Sequence, residues 1–232
     1  MLSNRKTISY IFKFLCFFAL FTSHLKQFEL YATSIESANS YRKSFTLEEF
    51  QALHISGKFE IEVNIEKKQS LTIEAERDYL DSLNIQVKNK VLYVVPNSTQ
   101  KNFWPWKKDK AIIKISVNKL SAVELMGSSQ FFLHNIAAHH FKISASGATK
   151  LDLAGNVEFL KVDVSGATEV KAFKLKAKHI DIRAMDACDV EVFAKKSVKV
   201  SASGASNVTY KGNAIIAKQR ISGISSLKKK NS

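Results

Sequence analysis

The sequence predicts an all-β protein: a right-handed parallel β-helix-like solenoid with an N-terminal β-strand and hairpin region. Three observations predict it. One kind of word recurs, as "SASGATKLDL" (144–153), "DVSGATEV" (163–170), "SASGASNV" (201–208) and "ISGISSL" (221–227). The glycine of each word falls in a column, Gly127, Gly147, Gly166, Asp186, Gly204 and Gly223, at spacings of 20, 19, 20, 18 and 19 residues. A near-constant step of this length is the mark of coils stacked on one another. Finally, apolar residues alternate with polar ones in short runs, and nothing after residue 50 sustains a 3.6-residue period.

The elements follow in chain order. Residues 1–32 read as a secretory signal peptide: Arg5 and Lys6 precede the apolar run "ISYIFKFLCFFALF" (8–21), and the best small-residue cleavage point follows Ala32. An uncleaved membrane anchor is the alternative, although the uninterrupted run is shorter than the ~20 residues a span needs. Cys16, in "FKFLC", lacks the small residues that would precede a lipidated cysteine. Residues 33–49 are polar and expected to be a flexible lead-in.

A β domain is expected over 50–227, with N-terminal strands over 50–119 and repeat coils over 120–227; 228–232 is a basic tail. Strand runs are expected at 52–65, 70–76, 84–88, 91–95 and 111–117. The alternation is clearest where Phe59, Ile61, Val63 and Ile65 are separated by Glu60, Glu62 and Asn64. "KNK" (88–90) marks a turn, so 84–95 reads as a hairpin. Between the last two runs lies "PNSTQKNFWPWKKDK" (96–110), which holds both tryptophans. Loops of this length are uncommon inside compact domains and often carry function. Trp104, Trp106, Lys107 and Lys108 are therefore the candidate contact residues, suited to sugar stacking or a membrane interface. The competing reading folds the tryptophans back over an open end of the sheet.

Each period holds two alternating segments joined by tight corners, with no helical pattern between them, which specifies a parallel β-helix. Aligning the segments after the corner gives an inward column Leu151, Val170, Val190, Val208, Leu227. Two outward columns flank it: Lys150, Glu169, Asp189, Asn207, Ser226 and Asp152, Lys171, Glu191, Thr209, Lys228. The vertical neighbours Lys150/Glu169, Asp152/Lys171 and Lys171/Glu191 are of opposite sign and Glu169/Asp189 is the one like-charge contact, which supports the register. Glycine suits the corner because it adopts positive φ without a Cβ penalty, and Asp186 is tolerable there because Asp visits left-handed geometry more readily than most residues. Thr149, Thr168, Cys188, Ser206 and Ser225 would stack just past it as a ladder of small side chains.

These residues resemble a known family. The opening "HISGKFEIEV" (54–63), the group ending in "AIIKISVNKLSAVELMGSSQF" (111–131) and the serial "SGAT"-type corners are similar to bacterial exported proteins with the auto-transporter adhesin head GIN domain, common in Bacteroidetes. The resemblance spans roughly 50–227. It implies an all-β, β-helix-like fold and an envelope or surface location, and it supplies no catalytic residues. The tryptophan segment is longer and more aromatic than the resemblance leads one to expect, which makes it the part most particular to this chain.

Composition narrows the chemistry. Removal of 1–32 would leave 31 basic against 20 acidic side chains, a net charge of +11. The lysines alternate with acids on strand positions, so most of the charge reads as a solvated face. The tight clusters are Lys107–Lys108 and Lys228–Lys230. No nucleic-acid module is present, and an exported chain would rarely meet nucleic acid. After cleavage Cys188 stands alone, so no internal disulfide forms. "HNIAAHHF" (134–141) matches no zinc spacing and reads as a surface return loop, so no metal and no cofactor is expected. "SASGAT" is followed by a strand where a phosphate loop needs a helix.

Some β-helices cleave polysaccharides, and that chemistry needs a carboxylate pair. Asp163 and Asp181, in "KVDVSG" and "HIDIRA", are the candidates if they lie one coil apart. The favoured reading is a non-catalytic, adhesin-like binding or structural module, exported to the periplasm, outer membrane or cell surface. Its expected partner is a glycan or an envelope or surface protein; it would meet a membrane only through an uncleaved N-terminus.

Overall fold

The alternating runs pair as their periodicity requires, one buried face to each. A computed structural model describes residues 40–97 and 111–231. The chain divides into two units, Met1–Ser40 and Tyr41–Ser232. The expected signal peptide lies outside the described residues, and among these no helix is long and apolar enough to cross a membrane.

The described chain forms fifteen strands and one short helix: β1 (Ser40–Phe45), β2 (Ala52–Gly57), β3 (Phe59–Ile65), β4 (Ser70–Glu76), α1 (Arg77–Asp81), β5 (Leu83–Lys88), β6 (Val91–Pro96), β7 (Ala111–Val117), β8 (Ala122–Gly127), β9 (Gln130–Gly147), β10 (Lys150–Val164), β11 (Glu169–Ala184), β12 (Asp189–Ala202), β13 (Asn207–Lys211), β14 (Ile215–Ile221) and β15 (Ser226–Lys229). From β8 onward consecutive coils stack in parallel, β9 on β10, β10 on β11 and β11 on β12; the coil after β12 is split into β13 and β14, and β15 stacks on β13.

The register matches the columns expected from charge. Leu151, Val170, Val190, Val208 and Leu227 are direct neighbours, as are Lys150, Glu169, Asp189, Asn207 and Ser226. Inward residues of these coils are almost wholly buried, for example Val170, Ile182, Val190 and Val208 at 0% exposure. Burying such side chains is worth roughly 1.5–3 kcal/mol each for Val- to Phe-sized groups, so the stacked apolar columns carry the fold.

Each long strand bends a second time. The alternation breaks where two successive residues face outward, at His139–His140, Glu158–Phe159 and Lys178–His179, before the inward run resumes at Phe141, Leu160 and Ile180. The "HNIAAHHF" segment accordingly belongs to β9 and is strand with a turn at Asn135 (φ 63°), not a return loop.

Stacking begins earlier than the repeat is visible. β2 pairs with β8, and Gly57 lies beside Gly127 in the corner column; β3 pairs with β9. β6 and β7 form the next layer out, parallel to β2 and β3. β5 then pairs antiparallel with β6, through a turn with Asn89 and Lys90 both at positive φ, as a tight hairpin turn of this twist requires. β4 pairs antiparallel with β7, and β1 lies beside β4. This antiparallel layer covers one end of the parallel stack, which would otherwise present an open edge. The expected flexible lead-in is therefore partly strand. Arg42 donates through Nε and Nη2 to Glu74 Oε2 (3.1 and 2.8 Å), and the hydroxyls of Ser44 and Thr72 lie 3.1 Å apart.

Candidate functional site

The corner is a structural device in every coil. All six column residues have positive φ, from 68° at Gly223 to 104° at Gly127, with Asp186 at 69°. Asp186 is held there by its own carboxylate, which accepts the Gly166 N–H at 3.0 Å. Past the corner the small side chains form the expected buried ladder. The Thr149 and Thr168 hydroxyls are 3.1 Å apart, Thr168 donates to the Ser165 carbonyl, and the Cys188 thiol points to the Met185 carbonyl at 3.0 Å. Burial raises the Cys188 pKa, so the thiol stays protonated and serves as a hydroxyl substitute rather than a nucleophile.

Two outward features lie on the strands that precede the corner. One is an open depression of about 330 Å³ whose lining includes Glu124, Ser144, Asp163, Arg183 and the exposed Met126 and Met185. It follows from register: Glu124, Ser144, Asp163 and Arg183 are vertical neighbours in one outward column.

The same register separates the two candidate catalytic carboxylates. Asp163 stands beside Arg183, whereas Asp181 stands between Lys161 and Lys199. The expected pairing of Asp163 with Asp181 one coil apart is thus offset by two residues, because "KVDVSG" and "HIDIRA" align on Val162–Ile182 rather than on their aspartates. Lys161 Nζ approaches Asp163 Oδ2 at 3.5 Å. The other oxygen of Asp163 is buried without a hydrogen-bond partner in the described structure.

The second feature is a ladder of rings along the second bend. His140 and Phe159 stack at 4.8 Å with planes 12° apart, and Phe159 and His179 at 5.0 Å with planes 16° apart. His179 Nδ1 meets the Ser197 hydroxyl at 2.8 Å, which continues the column. Beside it, Glu158 binds His139 Nε2 (3.0 Å) and Lys178 (3.3 Å). The Lys178 hydrogen bond is the main reason the Glu158 carboxyl sits below its ordinary range. His134 reaches Asp152 at 3.5 Å. His134 and His139 thus have acidic neighbours from the next coil, which sequence spacing does not show. Among the described residues no three His, Cys, Asp or Glu side chains are grouped to hold a metal.

Sequence reasoning missed this ladder. Its signal was present: His140, Phe159, His179 and Ser197 are 19, 20 and 18 residues apart, the step of the glycine column. Only the second bend, invisible in composition, turns that step into a stack of outward rings.

Trp104, Trp106, Lys107 and Lys108 lie outside the described residues. Of the layer they interrupt, the described parts are β6, where Val94 is beside Ile55, and β7, where Ala111 is beside Phe59.

The family model described as "putative auto-transporter adhesin, head GIN domain" matches residues 49–214. A putative adhesin from Bacteroides fragilis NCTC 9343 has a similar structure, with a TM-score of 0.63 and 15% identity, over 85% of this chain and 99% of that one. A putative adhesin from Parabacteroides distasonis ATCC 8503 is similar at a TM-score of 0.54 and 15% identity, over 84% and 98%. At such identities the likeness is one of fold. No curated protein matches the sequence.

Proposed function

The chain belongs to the family of the putative auto-transporter adhesin head GIN domain, and from that premise we propose that it is an exported, non-catalytic, adhesin-like binding module of the cell envelope. One observation carries this reading: outward columns repeat at coil spacing on a frame whose inward columns are buried. Neighbouring strands lie ~4.8 Å apart, so side chains in such a column form a rigid row rather than a pocket. A row of this kind suits an extended partner, a glycan chain or an envelope or surface protein, held by several weak contacts that add through effective concentration. The location, in the periplasm, outer membrane or cell surface, rests on the family and on the N-terminal sequence.

Trp104 and Trp106, with Lys107 and Lys108, are the proposed contact residues. In support, they lie in a stretch of sequence without apolar alternation, outside the words that repeat. Two indole rings and a lysine pair offer stacking area and charge at low entropic cost. The test compares the full chain with its Trp104→Ala/Trp106→Ala variant on a glycan array and in binding to intact bacterial cells. The double variant is expected to lose binding by about tenfold or more, as removal of central aromatic anchors does. Equal signal in the two proteins would remove the segment from the contact site. Failure of both proteins to bind any glycan or cell surface would sink the module reading.

A further inference from the structure

The positive charge is not spread evenly. Residues 169–230 hold 14 Lys and Arg against five Asp and Glu, a net +9, most of the +11 found beyond residue 32. Within that stretch the acids are confined. Glu169, Asp189 and Glu191 lie on the strand segments just after the corner, Asp186 on the corner and Asp181 before it. The bend that β11 and β12 make between these segments has none.

That bend collects cations from different coils. Lys174 and Lys176 flank the buried Leu175, and both are exposed. Lys176 lies beside Phe193, which in turn lies beside Lys211. The register then slips: Ala177 pairs with Ala194 and His179 with Ser197, so Lys178 alone opposes both Lys195 and Lys196. A bulge of this kind turns two successive side chains outward, and both lysines are exposed. The half-buried Phe173 ring lies under the Lys211 and Lys230 ammonium groups, at 4.7 and 5.5 Å from its centroid. Lys178 is neutralised by Glu158. Lys174, Lys176, Lys195 and Lys196 have no ion pair among the described residues.

Like charges on adjacent strands are destabilising, and among the described residues no acid pairs with these four. We propose that this ridge, Lys174, Lys176, Lys195, Lys196 and Lys211 around Phe173, binds an acidic polysaccharide. The proposal rests on the binding-module reading and names the ligand class and a second contact surface. The cations form a band across three successive coils, with steps of ~4.8 Å between coils and ~6.7 Å between alternate residues of one strand. A polyanion chain lying on such a band meets several cations at once. Of the large exposed apolar side chains, Ile215 and Ile216 lie beside Ser197 and Val198 at the border of the band, and Ile224 follows the glycine corner rather than this bend, so vesicles are the comparison that tests a lipid surface against a polyanion. The cation–π pairs at Phe173 hold two ammonium groups in place before the ligand arrives.

The experiment measures binding of the full chain to polygalacturonate, with neutral dextran and vesicles of phosphatidylglycerol and phosphatidylcholine as comparisons, at several salt concentrations. The variant K174Q/K176Q/K195Q/K196Q changes only exposed side chains, and a melting curve checks its fold. The control variant K142Q/K161Q/K199Q/K218Q removes the same charge from another face. The wild type is expected to bind polygalacturonate but not dextran, with affinity falling as salt rises. The ridge variant should lose about tenfold or more and show a shallower salt dependence, while the control changes by less than about threefold. Equal losses in the two variants would show generic charge attraction and overturn the ridge. So would tighter binding to vesicles than to polygalacturonate, or no binding to polygalacturonate at all. If the ridge variant still binds glycans or cells through the tryptophan segment, the module reading stands without the ridge. Loss of all binding by the wild type would end both.

Discussion

At Gly204 the backbone has φ 79°, and a Cβ placed there would lie 2.6 Å from the Asp186 carbonyl oxygen in the coil before. The residue must be glycine for two reasons, conformation and approach of the neighbouring coil. Gly204→Ala should therefore destabilise the chain by about 2 kcal/mol or more, read as a lower denaturant midpoint. Asp186→Gly at the equivalent corner should fall within about 1 kcal/mol of wild type, since it loses one hydrogen bond to Gly166 but relieves positive φ. A reversed order in the same denaturant series would show that the corners are not equivalent. The glycine column was legible because positive φ selects so few residues. Phe173 was not, because a half-buried phenylalanine looks the same in sequence whether it fills a core or lies under two lysines.

Between strands, the ladders are held by backbone bonds and by outward pairs. Glu169 joins β11 to β10 through Lys150 at 3.3 Å, and on its own strand it pairs with Lys171 at 3.0 Å. The Lys171 hydrogen bond first, against some desolvation, and then that of Lys150 keep its carboxyl below the usual range. A depressed folded pKa gives stability that is present above the unfolded carboxylate value and lost as pH falls through the folded one. The melting temperature of Glu169→Gln should therefore lie slightly below wild type at neutral pH, with the gap closing as pH drops below the folded value. The effect is small, since exposed pairs contribute little. A gap that persists in acid would mean that packing, not charge, is what Glu169 supplies. The charge columns after the corner could be aligned from the sequence because one period contains one such strand. The lead-in strand β1 could not, because an exposed edge strand carries no apolar alternation to mark it.

At the scale of the molecule, the sequence beyond residue 32 carries a formal charge of +11, and the described strands form a stack with one covered end and one open end. The antiparallel strands β4 and β5 close the first. At the second, among the described strands β14 pairs only with β12 and β15 only with β13, and Lys218, Arg220, Lys228 and Lys229 lie on these last strands. Edge lysines of this kind discourage self-association. Repulsion within the basic coils should be relieved by screening. The melting temperature is expected to rise as NaCl increases from about 10 to 150 mM, over which the Debye length falls from ~30 to ~8 Å. A flat or falling curve would show that the cations are neutralised within the chain.

The sequence by itself determined the coil: its period, corner residues, inward column and outward charge register. Each is a local or nearest-neighbour property, because a solenoid repeats one set of contacts. The tertiary structure alone decided where the second bend falls, and with it the ring ladder, the lysine ridge and the separation of Asp163 from Asp181. Those depend on how a strand changes the side it presents within one coil and slips against the next, and a shift of a single residue there reverses which side chains meet solvent.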